Sequence, residues 1–526
     1  MQSSIKTDWV PRKEQNDIVE KFKKFMNRDK KFLFIEAPTG IGKSYSVVLM
    51  SAIFEEQFGV GNKFDVITNT KMLQDQYLKD FDFIKSIKGS DNYRCHKHNC
   101  TCSEGGEINL IKKTSCNPCS YKVAKDLFTN STIGLTNFHM FINLLMHNPE
   151  VITGRSSKVL FVDEAHLFEE TYCDFIDAFV SKEYLEENEV WDDNLHVDLL
   201  SVSDFKSFSN LLSRVNGLIT NKVIQLLDEM GYEQTPSQII LANKIKHLKR
   251  MSCKYNRFIC DEKRWKSNWS LQIEQDSKGV NKIKAEAVWA SPYLEELWSG
   301  YEKIVFLSGT LIDRNFFMNL MGCEREQSDF MSLDSPFPVE NRLIKFVNVG
   351  RMSYDRKHEV FADMVPVLSK ILEKHKDSKG IIHTGNYELS SWVKEAINDD
   401  RLLFHDSKTR ESVINRHITT DEKTVIVSPS MINGVDFKDE LSRFQVILKV
   451  PFPNLSNERV KMRMEQNKTW YSWKTLCDII QSYGRSVRSV EDYAETYILD
   501  GNFENVLRNI NIPLYLKEAI KKVDKI

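Results

Sequence analysis

A glycine-bearing loop between a short apolar strand and a helix is the feature that most constrains the fold of this chain. It lies in KFLFIEAPTGIGKSYSVVLM, where the strand is predicted over Lys31–Glu36 and the helix begins near Lys43. In such a loop, backbone N–H groups and the helix N-terminus point at phosphate oxygens, the lysine reaches the outer phosphates, and the following hydroxyl ligates magnesium. One position departs from the general pattern, because Ala37 replaces glycine. We therefore expect an α/β domain with a nucleotide site at Ala37, Pro38, Thr39, Gly40, Ile41, Gly42, Lys43 and Ser44.

A second apolar strand, KVLFV, runs directly into the acidic segment Asp163-Glu164-Ala165-His166. A carboxylate at the end of a strand that neighbours a phosphate loop can hold magnesium, and the next carboxylate can polarise the attacking water. We expect Asp163 and Ser44 to hold magnesium and Glu164 to be the general base. Taken alone, the same four residues are also compatible with a solvated helix start.

The second half of the chain repeats the α/β pattern. From about residue 346, amphipathic helices alternate with short apolar strands at 380–384, 424–428, 444–450 and 494–499. In QSYGRSVRS, Arg485 and Arg488 are three residues apart and so share a helix face near Gln481. Two guanidinium groups at a cleft can stabilise charge on a transferring γ-phosphoryl group, which makes these three residues catalytic candidates. The alternative is a surface pair of arginines neutralised by nearby acids.

The N-terminal residues MQSSIKTDWV lack the charged-then-apolar plan of a signal peptide, and no apolar run approaches the roughly 20 residues of a membrane helix. We expect a protein of the cytoplasm, or of a nucleoid or viral replication site, without a membrane segment. The net charge of -2 neither indicates nor excludes a nucleic-acid partner.

Five of the ten cysteines cluster in the spacing Cys95-x4-Cys100-x-Cys102-x13-Cys116-x2-Cys119. In a reducing compartment such a cluster is more typical of a metal site than of disulfides. Chemistry alone leaves zinc open, because C-x-x-C pairs bind it and His96 and His98 add nitrogen donors. The remaining cysteines are expected to be buried small apolar groups: Cys173, Cys253, Cys260, Cys323 and Cys477.

Taken in order along the chain, these segments resemble the superfamily 2 helicases of the XPD and DinG family. The matching stretches are RKEQ, EAPTGIGKS, TNTKMLQDQY, GSDNYRC, the clustered cysteines, DEAH, LSGTL, SPFPVENR, NGVDF, KVPFPN and QSYGRSVR. Two positions depart from the family pattern: Gly309 stands where alanine is frequent, and Asn433 where an acid is frequent. The second departure leaves the contacts of its motif open.

The resemblance implies two RecA-like lobes that bind ATP between them and move along single-stranded DNA with 5′ to 3′ polarity. It implies that Arg12 and Gln15 lie near the adenine, with Gln15 reading its edge; the pattern alone also allows a surface glutamine. Residues 308–310 are expected to couple the ATP site to DNA, and His166 and Gln481 to bridge the cleft. The residues of the second lobe that face the nucleotide are then Gly434, Asp436 and Gln481.

The resemblance also implies a four-iron, four-sulfur cluster in the cysteine-rich stretch. Cys95, Cys116 and Cys119 are then ligands, with either Cys100 or Cys102 as the fourth. Such a cluster would pin an insert that has too few apolar residues to fold by itself. In the family this insert borders the DNA pore and helps to split the duplex.

Between DEAH and LSGTL lie more residues than a loop needs, and DFKSFSNLLSRVNGLITNKVIQLLDEM has the apolar spacing of a helix. This fits the family's helical arch. Downstream, Lys246, Lys249 and Arg250 belong to a basic series that interleaves with aromatic residues and could track single-stranded DNA. The competing interpretation is a solvated helix face with buried aromatic rings. The aromatic residues concerned are Tyr255, Phe258, Trp265 and Trp269.

We accordingly expect an α/β protein with two RecA-like lobes, a cysteine-rich insert and a mainly helical arch. The expected divisions are lobe 1 at 1–88, 122–172 and 264–345, the iron–sulfur insert at 89–121, the arch at 173–263 and lobe 2 at 346–526.

The expected function is that of an ATP-dependent DNA helicase. Its partners would be single-stranded and forked DNA, with the arch as a surface for protein partners, and the chain would act as a monomer. Two alternatives stay open: an RNA-directed DEAH-type ATPase, and a nucleotide-binding scaffold without unwinding activity.

Overall fold

The computed structural model describes residues 10–38, 40–59, 61–111, 114–229, 236–275, 279–429, 437, 439–484, 486–487 and 489–524. Five predicted site residues lie outside these ranges: Thr39, Gly434, Asp436, Arg485 and Arg488.

The strands are β1 (Phe32–Glu36), β2 (Phe64–Thr68), β3 (Lys85–Ser86), β4 (Arg94–Cys95), β5 (Cys100–Thr101), β6 (Ile133–Asn137), β7 (Val159–Asp163), β8 (Ala178–Val180), β9 (Trp269–Gln275), β10 (Asn281–Ala287), β11 (Lys303–Ser308), β12 (Ser328–Ser332), β13 (Ile344–Gly350), β14 (Gly380–His383), β15 (Leu402–Phe404), β16 (Val425–Ser428), β17 (Phe444–Ile447), β18 (Glu495–Asp500) and β19 (Ile520–Lys522).

The α-helices are α1 (Lys13–Met26), α2 (Lys43–Phe58), α3 (Lys71–Asp80), α4 (Cys102–Ile111), α5 (Ser120–Asn130), α6 (Phe138–His147), α7 (Glu150–Thr153), α8 (Phe168–Ile176), α9 (Lys182–Glu187), α10 (Asn194–Ser201), α11 (Phe205–Glu229), α12 (Pro236–Cys260), α13 (Trp265–Asn268), α14 (Ser291–Ser299), α15 (Arg314–Leu320), α16 (Lys357–Lys374), α17 (Tyr387–Ala396), α18 (Arg410–Thr419), α19 (Glu458–Gln466), α20 (Lys468–Tyr483), α21 (Phe503–Asn509) and α22 (Leu514–Ala519). Within the described residues, no helix combines the length and the apolar character needed to cross a membrane.

The first lobe, lobe 1, is built on a parallel sheet in the order β12-β1-β11-β7-β2-β6-β3. β1, β2, β6 and β7 are buried along their whole length, which explains why β1 and β7 begin with four consecutive apolar residues rather than an alternating pattern. β11 lies between β1 and β7. The phosphate loop, the DEAH segment and the LSGTL segment therefore all leave the same carboxyl edge, where ligands of open α/β sheets bind.

The second lobe, lobe 2, is a parallel sheet in the order β15-β16-β14-β17-β18-β13-β19. The strands expected at 380–384, 424–428, 444–450 and 494–499 correspond to β14, β16, β17 and β18. The predicted α/β class with two lobes is thus confirmed. After β14 the chain continues to β15, toward one edge of the sheet. After β17 it continues to β18, toward the other edge. Because β14 and β17 are neighbours, a topological switch point lies between them.

Two inserts interrupt lobe 1. The cysteine insert, between β3 and α5, contains the antiparallel pair β4-β5 and helix α4. The arch, between β7 and β11, contains the paired helices α11 and α12 and the sheet β8-β10-β9. The apolar stripe of α11 is buried as predicted, at Phe208, Leu211, Leu212, Val215, Ile219 and Leu226. Because β9 and β10 pair with β8 rather than with the lobe 1 sheet, we propose that the arch extends through Ala287.

For the aromatic residues of the predicted DNA track, the structure favours the competing interpretation, which is burial. Tyr255, Phe258, Trp265 and Trp269 are between 0% and 5% exposed. The indole nitrogens of Trp265 and Trp269 donate to Phe258 O and Asp261 Oδ2, each at 2.8 Å. These rings are part of the arch core and present no free face to a nucleic-acid base.

The basic residues of the predicted DNA track face the cysteine insert. On α12, Lys246 Nζ lies 2.5 Å from Asp91 Oδ1, Arg250 Nη2 lies 3.7 Å from Asp91 Oδ2, and Lys249 Nζ lies 2.9 Å from Glu107 Oε2. These ion pairs join the arch to the cysteine insert. Two acids therefore face these three predicted phosphate-binding cations, which leaves less positive charge for a phosphate backbone.

Two of the isolated cysteines also differ from the prediction. Cys173, Cys323 and Cys477 are buried, but Cys253 and Cys260 are exposed. Both lie on α12, whose buried stripe is formed by residues such as Leu248, Met251, Tyr255 and Phe258. Cys253 and Cys260 fall between these helical positions and so face solvent.

Candidate nucleotide site and cysteine centre

The phosphate loop leaves β1 at Glu36 and enters α2 at Lys43. Gly40 and Gly42 have φ values of +87° and +83°, which residues with a Cβ rarely adopt. Ala37 and Ile41 are fully buried below the loop. The predicted strand, loop and helix are therefore all present around this site.

Helix α1 contacts the loop through two side chains. Gln15 Nε2 donates to Gly42 O at 3.3 Å, and Arg12 Nη1 donates to Gly40 O. Gln15 is only 2% exposed. It is thus not a surface glutamine. The placement of Arg12 and Gln15 near the adenine, which the family resemblance implies, stays a prediction.

The predicted catalytic lysine and base form an ion pair, with Lys43 Nζ 3.1 Å from Glu164 Oε1. Glu164 has a φ of 55°, a left-handed conformation that is uncommon for a non-glycine residue. Asp163 ends β7 beside it, and burial together with the Glu164 charge raises the pKa of Asp163 to about 6. The Lys43 charge opposes this shift and lowers the pKa of Asp163.

Tyr77, on α3, is a site residue that the sequence did not single out. Its hydroxyl donates to Asp163 Oδ2 at 2.9 Å and also contacts the Ser44 side chain. Burial raises the pKa of Tyr77 well above its usual value, so the phenol stays protonated. One buried hydroxyl therefore lies between the two residues predicted to hold magnesium. The stretch TNTKMLQDQY places Tyr77 in a recognised motif, but nothing in its spacing indicates this contact.

His166 contacts lobe 1 rather than the predicted partner in lobe 2. Its Nδ1 lies 2.7 Å from Ser308 Oγ. Burial lowers the pKa of His166 to about 4, so the ring is neutral at physiological pH. Among the described residues it makes no hydrogen bond to Gln481. The expected bridge across the cleft is instead a link between the DEAH and LSGTL segments.

The two lobes meet at a cavity beside the phosphate loop. Pro38 and Gly309 of lobe 1 and Gln481 and Tyr515 of lobe 2 all line it. The turn that follows Gln481 is fixed on both sides: Ser482 Oγ and His383 Nε2 are 2.8 Å apart, and Gln445 Nε2 donates to Ser486 Oγ at 2.5 Å. Helix α20 ends at Tyr483, and Ser486 and Val487 are not helical, so the expected helix does not continue through this stretch. Arg485 and Arg488 lie outside the described residues.

Glu36 is a second site residue that the sequence did not indicate. It is 2% exposed, and its carboxylate accepts from Ile312 N at 2.6 Å and from Ser332 Oγ at 2.8 Å. Burial raises the pKa of Glu36 to about 7. Ile312 follows the LSGTL segment and has a φ of 59°, a costly value for a β-branched residue. Glu36 therefore ties the strand of the phosphate loop to the end of the LSGTL loop.

All five predicted cysteine ligands lie in one small region. Cys95 Sγ and Cys116 Sγ are 3.4 Å apart, the Cys100 thiol contacts Cys95, and the Cys102 thiol contacts Cys119. Burial and the neighbouring thiols raise the pKa of Cys100 to about 12. Bringing these groups together as thiolates therefore requires a positive charge among them. The cysteine-rich site is compatible with metal binding.

His98 gives this centre a nitrogen donor. It forms a group with Cys95 and Cys116 in which every ligand atom lies within 4.8 Å of the others. Its Nε2 is 2.9 Å from Asn109 Oδ1, and Asn109 Nδ2 donates to Cys116 Sγ at 3.0 Å. The centre thus offers five sulfur donors and one nitrogen donor, which exceeds the four needed by either a cluster or zinc.

A cavity of about 270 Å³ opens at the carboxyl edge of lobe 2 and was not predicted from the sequence. Asn386, after β14, and Lys449, after β17, both line it, so it lies at the switch point of this sheet. Tyr354 and Trp392 supply aromatic faces, and Tyr354 is 86% exposed. Lysine and aromatic side chains around one cavity form a surface suited to an unpaired nucleotide.

The chain matches two family models. Residues 8–188 match the model described as type III restriction enzyme, res subunit, and residues 369–518 match the helicase C-terminal domain. These segments cover the phosphate loop and the DEAH segment at one end and most of lobe 2 at the other.

Curated relatives include ATP-dependent DNA helicases. The chain is 24% identical to CHL1 of Candida albicans over 31% of its own length and 21% of that protein. It is 21% identical to CHL1 of Saccharomyces cerevisiae over 65% of its length and 50% of that protein. It is 23% identical to XPD of Sulfolobus acidocaldarius over 42% of its length and 43% of that protein. The chain spans at most about half the length of these three relatives.

Solved structures share the fold. S. tokodaii Xpd4 is 15% identical with a TM-score of 0.63, and the match covers 97% of this chain and all of that one. A structure titled XPD helicase is 14% identical with a TM-score of 0.60, covering 97% and 98% of the two chains. The arrangement of two lobes and two inserts therefore has close counterparts among known folds.

Proposed function

We propose, from the premise that this chain belongs to the XPD/DinG-like superfamily 2 helicases, that it is an ATP-dependent DNA helicase that moves along single-stranded DNA. The observation that carries the proposal is a cavity between the lobes that is lined by Pro38 of the phosphate loop and by Gln481 of lobe 2. The same loop leads into Lys43, which pairs with Glu164. A site divided between two lobes opens and closes as nucleotide binds and leaves, which is how hydrolysis becomes movement.

The chemistry follows from the Lys43–Glu164 pair. When MgATP occupies the phosphate loop, its γ-phosphate competes for Lys43 Nζ, which lies 3.1 Å from Glu164 Oε1. Glu164 is then released to accept a proton from the attacking water. The water oxygen bonds to the γ-phosphorus while the bond to the ADP oxygen breaks. Ser44 and Asp163 are the proposed magnesium residues, and Tyr77 keeps their side chains oriented.

Lobe 2 supplies positive charge to the developing transition state. Arg485 and Arg488 are the proposed donors, with Gln481 at the same cleft. Gly434 and Asp436 are proposed to face the nucleotide from the neighbouring loop. Ser482 and Ser486, which flank Arg485 in the sequence, are hydrogen-bonded to His383 and Gln445 of lobe 2, which supports the assignment of this stretch to lobe 2.

The cysteine insert is proposed to hold a four-iron, four-sulfur cluster through four of Cys95, Cys100, Cys102, Cys116 and Cys119. The donor set fits, because the five thiols are mutually close and need a cation to ionise. When bound, the cluster supplies a crosslink within the insert. Zinc is the alternative that the His98 position favours, because this ring lies within the group formed by Cys95 and Cys116.

The single strand is proposed to contact the lobe 2 cavity. Lys449 would pair with a phosphate, and Trp392 with Tyr354 would stack on a base. Polarity from 5′ to 3′ rests on the family resemblance alone. It is tested by comparing duplexes that carry a 5′ or a 3′ single-stranded tail.

The proposed function is tested by ATP turnover measured alone and with single-stranded DNA, duplex DNA or RNA of matched length. Strong stimulation by single-stranded DNA, lost in Lys43→Ala, is expected. Stronger stimulation by RNA would instead indicate an RNA-directed ATPase. ATP binding without turnover under any of these conditions would indicate a scaffold.

A further inference from the structure

Three side chains of lobe 2 hold the LSGTL loop of lobe 1 by its backbone. The Tyr515 hydroxyl, Cys477 Sγ and Trp473 Nε1 donate to the consecutive carbonyls of residues 309–311, at 3.1, 3.5 and 3.1 Å respectively. The loop was expected to couple nucleotide to DNA, but the sequence did not indicate which residues contact it from the other lobe.

These contacts are buried. Trp473, Cys477 and Tyr515 are 3%, 2% and 4% exposed. A carbonyl in such a dry interface is costly when it has no donor. Because the three carbonyls are consecutive, a small slide of lobe 2 along the loop would lengthen all three hydrogen bonds together. The interface therefore favours one register of the two lobes.

One face of helix α20 connects the LSGTL loop to the nucleotide cleft. Trp473, Cys477 and Gln481 are spaced four residues apart on α20 and so lie along one side of the helix. Gln481 lines the cavity beside the phosphate loop, together with Pro38. Helix α20 thus contacts the LSGTL loop at one end and the ATP cleft at the other.

The far end of the loop is fixed to lobe 1. After residues 309–311, the Ile312 amide donates to the buried Glu36 carboxylate at 2.6 Å, directly before the phosphate loop. The loop is therefore anchored to the phosphate-loop strand on one side and to α20 on the other. Among the three lobe 2 contacts, Trp473 and Tyr515 are the stronger donors, because a thiol donates only weakly.

We propose that Trp473 and Tyr515 are positioning residues that set the register of lobe 2 on the LSGTL loop, and that DNA-stimulated closure of the cleft requires this register. The inference rests on the proposed function. Tyr515 also lines the cavity beside the phosphate loop, so nucleotide affinity is compared in Trp473→Phe, whose indole contacts the LSGTL loop at residue 311. What depends on Trp473 and Tyr515 is the fraction of ATP-bound molecules that close productively when DNA is present.

The test uses three variants: Tyr515→Phe removes only the hydroxyl, Trp473→Phe removes the indole N–H with part of the ring, and the double variant combines both changes. Two matched controls remove the same kind of buried donor within a single structural unit. Trp298→Phe loses the contact of Nε1 with Met321 O at 2.9 Å in lobe 1, and Tyr255→Phe loses the contact of its hydroxyl with Phe179 O at 2.9 Å in the arch. Steady-state ATP hydrolysis is measured for each variant with and without single-stranded DNA.

In the double variant, the DNA-stimulated kcat should fall about tenfold, because two interfacial hydrogen bonds together contribute enough to change an equilibrium by that factor. In Trp473→Phe, the KM for ATP and the DNA-free rate should stay within about twofold of the wild type, since the phosphate-loop contacts are intact. Both controls should keep the stimulation of the wild-type protein. A merely structural role would lower stimulation in the controls as well.

Stimulation that is equal in the double variant and the controls would overturn the proposal. A wild-type protein whose hydrolysis does not respond to DNA would overturn the proposed function instead, and this inference with it. If the double variant does not fold, hydrogen exchange of residues 303–312 in Tyr515→Phe decides the question. The wild-type loop should gain protection with DNA and a non-hydrolysable ATP analogue, and the variant should gain less; equal protection would overturn the proposal.

Discussion

Replacing Gly105 by alanine should displace a cysteine ligand, whereas the same replacement at Gly106 should not. The two glycines are neighbours on α4, with Gly105 buried and Gly106 exposed. A Cβ at position 105 would lie 2.6 Å from Cys95 Sγ and 2.9 Å from Cys95 Cβ, whereas nothing lies within 4 Å of a Cβ at position 106. Gly106→Ala is therefore a matched control.

The size of the displacement follows from these distances. Cys95 Sγ would have to retreat by about 0.8 Å to reach the 3.4 Å of an ordinary contact. Metal–ligand distances tolerate only about 0.2 Å. Alanine is favoured over glycine within a helix by about 0.5–1 kcal/mol, so helix propensity alone would stabilise both variants. Loss of metal in Gly105→Ala must then come from the contact with Cys95.

The assay is the iron, sulfide and zinc content of anaerobically purified protein. The wild type and Gly106→Ala should each carry about four irons per chain, as one cluster requires, and Gly105→Ala should carry far less. Equal metal content in the two variants would refute the proposed role of Cys95. Stoichiometric zinc without iron in the wild type would replace the cluster by a zinc centre.

Three further predictions concern the motor. Glu164→Gln should bind ATP with unchanged affinity and lose turnover; robust hydrolysis would show that the base is misassigned. Trp392→Ala should weaken single-stranded DNA binding by about 1–3 kcal/mol if one base stacks there, and Tyr387→Ala on the same helix should not. Glu36 has its pKa raised from 4.5 to about 7, so its stabilising contribution is complete below pH 4.5 and is lost as the pH rises through 7. This loss amounts to about 3 kcal/mol. Between pH 5 and pH 8, the Tm of Glu36→Gln should therefore fall less than the Tm of the wild type, and an equal decrease would contradict the assignment.

Local patterns were sufficient to predict most of the fold. The apolar strands and the phosphate loop combine short-range signals, namely a buried run, a glycine turn and a helix start, and the 3.6-residue period of α11 is equally local. The pairing of β9 and β10 with β8 depends on contacts between distant segments. Sequence spacing therefore did not indicate where the arch ends.

Contacts between distant segments also explain why the sequence could not decide between the two interpretations of the DNA track. Composition alone cannot distinguish a basic helix face that binds phosphate from one that pairs with acidic side chains. The acids here, Asp91 and Glu107, are more than 130 residues away in sequence from the lysines with which they pair. The spacing of Tyr255 and Phe258 within the buried stripe of α12 did carry a signal for burial. Tyr77 and Glu36 could not have been found from spacing, because their partners lie on other strands and loops.

The most direct test of the central claim is strand separation of a forked DNA duplex by the full chain, with ATP hydrolysis followed in the same reaction. Wild-type protein should separate the strands only when ATP is hydrolysed, and Glu164→Gln should bind the fork without separating it. Rapid DNA-stimulated hydrolysis that leaves the duplex intact, or strand separation that persists in Glu164→Gln, would contradict the account.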